Sequence, residues 1–90
     1  MEGYFITVNV IVDDVDDLGQ VAINIISDQY ETLAANFRMN KSELINENLL
    51  NGNQITKQFF VFEPGEYQIE TLVRNKAGAN LPKIVTAHNI

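Results

Sequence analysis

The stretch PGEYQIETLVRNKAGANLP, Pro64 to Pro82, reads as turn, strand, turn. Pro64-Gly65 is a turn dipeptide. From Tyr67 the chain alternates: Tyr67, Ile69, Thr71 and Val73 share one face, and Gln68, Glu70, Leu72 and Arg74 share a wetter one. A period of two is the signature of a half-buried strand. Asn75 to Asn80, with Gly78, supplies the closing turn.

The same reading extends in both directions. Gly3 to Val12 alternates, with Tyr4, Ile6, Val8, Val10 and Val12 on one face and Phe5, Thr7, Asn9 and Ile11 on the other. Asp13 to Gly19 is a loop. Gln20 to Ser27 is a strand with Val21, Ile23 and Ile25 inward, and Ser27 to Gln29 is a turn. Thr32 to Met39 is a strand that places Leu33, Ala35, Phe37 and Met39 inward. Gln54 to Phe62 and Leu81 to Ile90 complete the set, with Pro82 suiting an edge position. About seven strands separated by frequent turns predict an all-β, immunoglobulin-like antiparallel sandwich in a single domain spanning residues 1–90.

Residues 41–50 are harder to place. In NKSELINENLLNG, Asn40 and Glu43 have the spacing of a capping box, and Gly52 could end a helix. Against a helix, LLNGNQI puts Asn51-Gly52 between apolar residues, a hairpin signal. Leu44, Ile45, Leu49 and Leu50 fit neither period. The favoured reading is a short irregular strand or a single helical turn, followed by the hairpin.

PGEYQIETLVRNKAGANLPKIV resembles the last two strands of fibronectin type III and polycystic-kidney-disease-type domains. The resemblance rests on Pro64, Gly65, Tyr67, Ile69, Val73, Asn75, Gly78 and Ile84. It covers the last third of the chain. It implies that Tyr67 forms a tyrosine corner, its ring in the core and its hydroxyl bonded to backbone a few residues upstream. The chain has no tryptophan, so the buried tryptophan of fibronectin type III domains has no counterpart. The resemblance therefore implies an architecture, with Pro64, Gly65, Tyr67 and Gly78 as structural residues, and no family activity.

Composition narrows the function classes. The 90 residues carry a net charge of −6, and the six basic residues are scattered. Nucleic-acid binding needs a concentrated positive footprint, so that class is set aside. No apolar run approaches the ~20 residues of a membrane helix. Tyr4 to Val12 is no signal peptide, because Glu2 precedes it and Asp13, Asp14, Asp16 and Asp17 follow it. The expected location is the cytoplasm or a virion as the sequence stands, and extracellular if the chain is a piece of a longer protein. With no cysteine, disulfides and thiolate chemistry are out. Ser27 and Ser42 are the only serines, and no nucleophile elbow surrounds them. An enzyme is not expected.

Three features are candidates for binding. The acidic loop of Asp13, Asp14, Asp16 and Asp17 has the oxygen donors calcium takes, with Asp28 or Glu31 as helpers only if they reach the same end. Its spacing is not that of an EF-hand, and a solvated loop that keeps the protein soluble accounts for it as well. QFFVFE places Phe59 and Val61 opposite Phe60 and Phe62, so one aromatic face is core and the other is either covered or a partner surface. The turn with Asn75 and Lys76 is a third candidate. Tyr4, Phe5, Tyr30, Phe59, Phe60 and Phe62 could stack on a sugar, but without tryptophan carbohydrate is the weaker class. His88, the one histidine, reads as a half-exposed strand residue. The expected function is a non-catalytic protein-interaction or structural module, surface-protein or virion accessory in type, with a protein partner or self-association and no cofactor. The alternative is a calcium-stabilised extracellular adhesion domain using loop 13–17.

Overall fold

The computed structural model describes residues 3–90. Seven strands, β1 (Tyr4–Ile11), β2 (Leu18–Ser27), β3 (Thr32–Asn40), β4 (Leu50–Asn51), β5 (Gln54–Val61), β6 (Glu66–Asn75) and β7 (Ile84–Asn89), form two antiparallel sheets. One sheet has the order β1-β5-β4, the other β3-β2-β6-β7. The chain crosses between sheets from β1 to β2, β3 to β4 and β5 to β6, which gives the expected antiparallel β-sandwich of seven strands.

The alternation seen in the sequence sets the core. Ile6, Val8 and Val10 from β1 and Ile55, Phe59 and Val61 from β5 face Val21, Ile23, Ile25, Phe37, Tyr67 and Ile69 of the other sheet. Ile6, Val21, Ile23, Ile25, Leu44 and Ile55 have no exposed surface. Full burial of each such side chain stabilises by about 1.5–3 kcal/mol, so these two inner faces dominate the stability. No helix among the described residues is long and apolar enough to cross a membrane.

The ambiguous segment resolves into both of its signals in succession. A short helix, α1 (Lys41–Asn46), follows β3 directly. Asn40 Oδ1 accepts from the Glu43 N–H at 2.9 Å, and Glu43 Oε1 accepts from the Asn40 N–H at 3.0 Å, so the capping box is closed. The strand reading for these residues is thus corrected. Asn48, not Gly52, ends the helix. Its φ of 58° is left-handed, and Asn48 N–H and Leu49 N–H donate to Ile45 and Leu44 carbonyls, the paired bonds of a Schellman ending. One turn has a single inward position, and Leu44 fills it, which is why no helical period was visible. The hairpin follows one residue later than Asn51-Gly52 suggests. Asn51 pairs with Gln54, leaving Gly52 and Asn53 as the loop. Gly52 takes φ 63°, as the first central residue of a II′-type turn must.

Two further expectations change. Leu33 is outward and 56% exposed. The register steps from Ile25↔Ala35 to Ile26↔Leu33, so Ala34 is an extra residue in β3 and the bulge flips Leu33 to the outer face. The last strand starts at Ile84, not Leu81. Leu81 N–H still donates to the Val73 carbonyl, but Pro82 has no N–H to continue the ladder.

Candidate functional site

Both termini of β6 are pinned by turns the sequence marks. At its start, Gly65 (φ 139°) exchanges backbone hydrogen bonds with Ile90. Tyr67 follows, 3% exposed, and its hydroxyl donates to the Glu63 carbonyl four residues upstream. This is the expected corner geometry: the ring lies in the core and the hydroxyl fixes the crossing from β5 to β6. Burial raises the Tyr67 pKa above its ordinary value, with smaller contributions from Glu63 and Tyr30. At the far end of β6, Gly78 (φ 88°) completes a turn in which Ala79 N–H donates to Asn75 Oδ1 at 2.9 Å.

The acidic loop lies at that far end. Val15–Asp17 is a 3-10 turn, and Val15 packs against the core while Asp13, Asp14, Asp16 and Asp17 are exposed. Lys76 N–H donates to the Asp17 carbonyl at 3.0 Å, tying this loop to the Asn75–Asn80 turn. Asp13, Asp14, Asp17 and Asn75 border a shallow hollow of about 220 Å³. Among the described residues no group of three or more acidic or histidine side chains is placed to hold a metal ion. Asp28 and Glu31 are at the opposite end: β2 pairs Leu18 with Asn75 but Ser27 with Tyr67. A ten-residue strand separates them from the loop, about 30 Å.

The aromatic stretch divides as alternation requires. Phe59 is 6% exposed and packs edge-on to Phe37, so it belongs to the core and not to a binding surface. Phe60 and Phe62 are 41% and 59% exposed on the outer side. Sequence reading did not pair them with Phe5, yet the β1–β5 register sets Phe5 directly opposite Phe60. The Phe5–Phe60 centroids are 5.3 Å apart at 65°, and Phe60–Phe62 are 5.0 Å apart at 88°. Such edge-to-face pairs are each worth about 0.5–1.5 kcal/mol beyond their burial. The three rings are one contiguous cluster at the Tyr67 end of the sandwich. Tyr30, 54% exposed, joins Phe60 and Phe62 in lining an adjacent hollow of about 210 Å³. Asn75 and Lys76 lie at the other end, away from the rings.

Ser27 is buried and its hydroxyl oxygen accepts from the Tyr30 N–H. His88 is half-buried opposite Tyr67. Lys83 and Glu70 make a surface pair at 3.3 Å, of a kind that contributes little. Comparison with family models, curated proteins and solved structures finds no match to this chain.

Proposed function

We propose that the chain is a non-catalytic protein-interaction module that makes its contact through the cluster of Phe5, Phe60 and Phe62. The observation that carries this reading is the clustering itself. Rings 41–63% exposed touch one another on the outer face of a sheet that already has a complete inner face. The core does not need them, and a contiguous aromatic patch in water is the usual mark of a contact surface. The Tyr67 corner, together with Pro64 and Gly65, supports the likeness to fibronectin type III and polycystic-kidney-disease-type domains, which serve as modules in larger assemblies. In this reading the acidic loop keeps an aromatic-bearing domain soluble and repels wrong partners.

A second copy is the partner present in any pure solution. Sedimentation equilibrium tests the reading: the native chain gains mass with concentration, and the double variant Phe60→Ser, Phe62→Ser stays a monomer at the same loading. Equal behaviour of the two proteins removes the aromatic cluster as a contact surface.

A further inference from the structure

The two sheets differ in width. Three strands, β4, β5 and β1, face four, β3, β2, β6 and β7. β7 is the unmatched strand. Its residues Ile84, Thr86 and His88 stand opposite Thr71, Ile69 and Tyr67 and so point to the inner side. Ile69 is 7% exposed, but Ile84 on the same side is 59% exposed. A cleft of about 440 Å³ runs between this row and β1. It continues past Ile11 to Leu81 and Pro82.

The β1 wall of the cleft is an open strand edge. Val12 N–H donates to the Asn53 carbonyl, in register with the β1–β5 ladder. Alternation then turns the N–H and C=O groups of Phe5, Thr7, Asn9 and Ile11 away from β5, toward the open side. The β4, β5 and β3 edges are blunted in the ways soluble proteins use. β4 is two residues long. Where β5 extends beyond β4, Lys57 points inward, its ammonium 5.6 Å from the Phe37 ring centre. β3 is bulged at Ala34 and carries Arg38. β7 is a second plain edge, six residues long and preceded by Pro82 and Lys83. β1 runs from Tyr4 to Ile11 with no charge, proline or bulge.

We propose that this cleft takes one extended strand from another protein chain. The strand pairs with the open edge of β1 and seats every second side chain over Ile84 and Thr86. Backbone hydrogen bonds supply affinity and the cleft selects the alternating apolar side chains. A second copy is a poor fit. β7 overhangs β1 by one strand, about 4.8 Å. Pairing β1 to β1 across a twofold axis would drive the two overhanging strands into the same space. Charge completes the description. Among the described residues lining the cleft, Asp13 is the one with a formal charge at pH 7, and it lies at the Ile11 end beside Asp14, Asp16 and Asp17. The strand that fits is neutral along its length and basic at the end that meets Asp13.

The probe is a displayed library of octapeptides with an apolar residue at every second position, followed by synthesis of the enriched peptides. The expected peptides carry Lys or Arg at one end. On binding they slow amide exchange at Phe5, Thr7, Asn9 and Ile11 at least tenfold, from fast exchange in the free protein. Ile84→Lys, at an exposed position, weakens binding at least tenfold with an unchanged melting midpoint. Thr7→Pro, which removes an open-edge N–H and spares the β5 ladder, does the same; if it unfolds, Ile84→Lys decides. Any of four results overturns the proposal: no enrichment over a scrambled library, protection elsewhere, native affinity in Ile84→Lys, or open-edge amides already slow in the free monomer. A dimer abolished by Ile84→Lys would hand the cleft to a second copy and also overturn it.

Discussion

Replacing Tyr67 by Phe removes one oxygen and leaves the ring. The ring is 3% exposed and stays packed, so the change isolates the bond from the hydroxyl to the Glu63 carbonyl. Glu63 is exposed, and its carbonyl can turn to water once the hydroxyl is gone. The cost is therefore that of one net hydrogen bond, about 1 kcal/mol, without a further penalty for a buried orphan. Unfolding entropy of about 0.19 kcal/mol per kelvin for a domain this size converts that into a fall of about 5 °C in midpoint. The pH dependence gives a second, independent reading. Burial raises the Tyr67 pKa above its unfolded value near 10. Below that value both states keep the proton and the bond contributes fully. Above it the unfolded state ionises first, so stability is lost as pH rises through the folded pKa. Thermal melts at pH 8 and pH 11 check both effects. The native protein leads Tyr67→Phe by about 5 °C at pH 8 and by less at pH 11. A difference below 1 °C at pH 8 would refute the corner as a stabilising bond, and one that does not shrink with rising pH would refute the raised pKa.

Other predictions concern α1 and the acidic loop. Asn40→Ala opens the capping box of α1 and costs about 1 kcal/mol, about 5 °C, whereas Asn40→Asp keeps the acceptor and most of the stability. Melts of the two variants side by side check this. If the acidic loop serves only to keep the domain soluble, as proposed, the melting midpoint is the same in millimolar calcium and in EDTA. A calcium-specific rise of roughly 10 °C, the scale expected at 100 times the dissociation constant, would instead make Asp13, Asp14, Asp16 and Asp17 a site.

What was legible in the sequence follows from length scales. Period-two alternation is a property of neighbours, so Tyr4–Val12 and Tyr67–Arg74 announced their strands and their inner faces. The capping box at Asn40 and Glu43 was equally local, but a six-residue helix with one buried side chain could not outweigh the hairpin signal beside it. The bulge at Ala34 is invisible without the partner strand, because one inserted residue alters register and not composition. The aromatic cluster was half-legible. Phe60 and Phe62 share a strand face by alternation, but Phe5 joins them only through a register linking residues 55 positions apart. The open cleft was not legible at all. It depends on how many strands each sheet receives, a property of topology that leaves no mark on β1 itself beyond its lack of charge.

The most direct test of the proposed contact surface is a fluorine spectrum of the chain carrying fluorophenylalanine at its five phenylalanines, followed from micromolar to millimolar concentration. Phe37 and Phe59 are core rings and serve as internal controls. The Phe5, Phe60 and Phe62 signals are expected to shift and broaden together while the two core signals hold still. Five signals that stay fixed across the range, or movement shared equally by Phe37 and Phe59, would contradict the proposed contact surface.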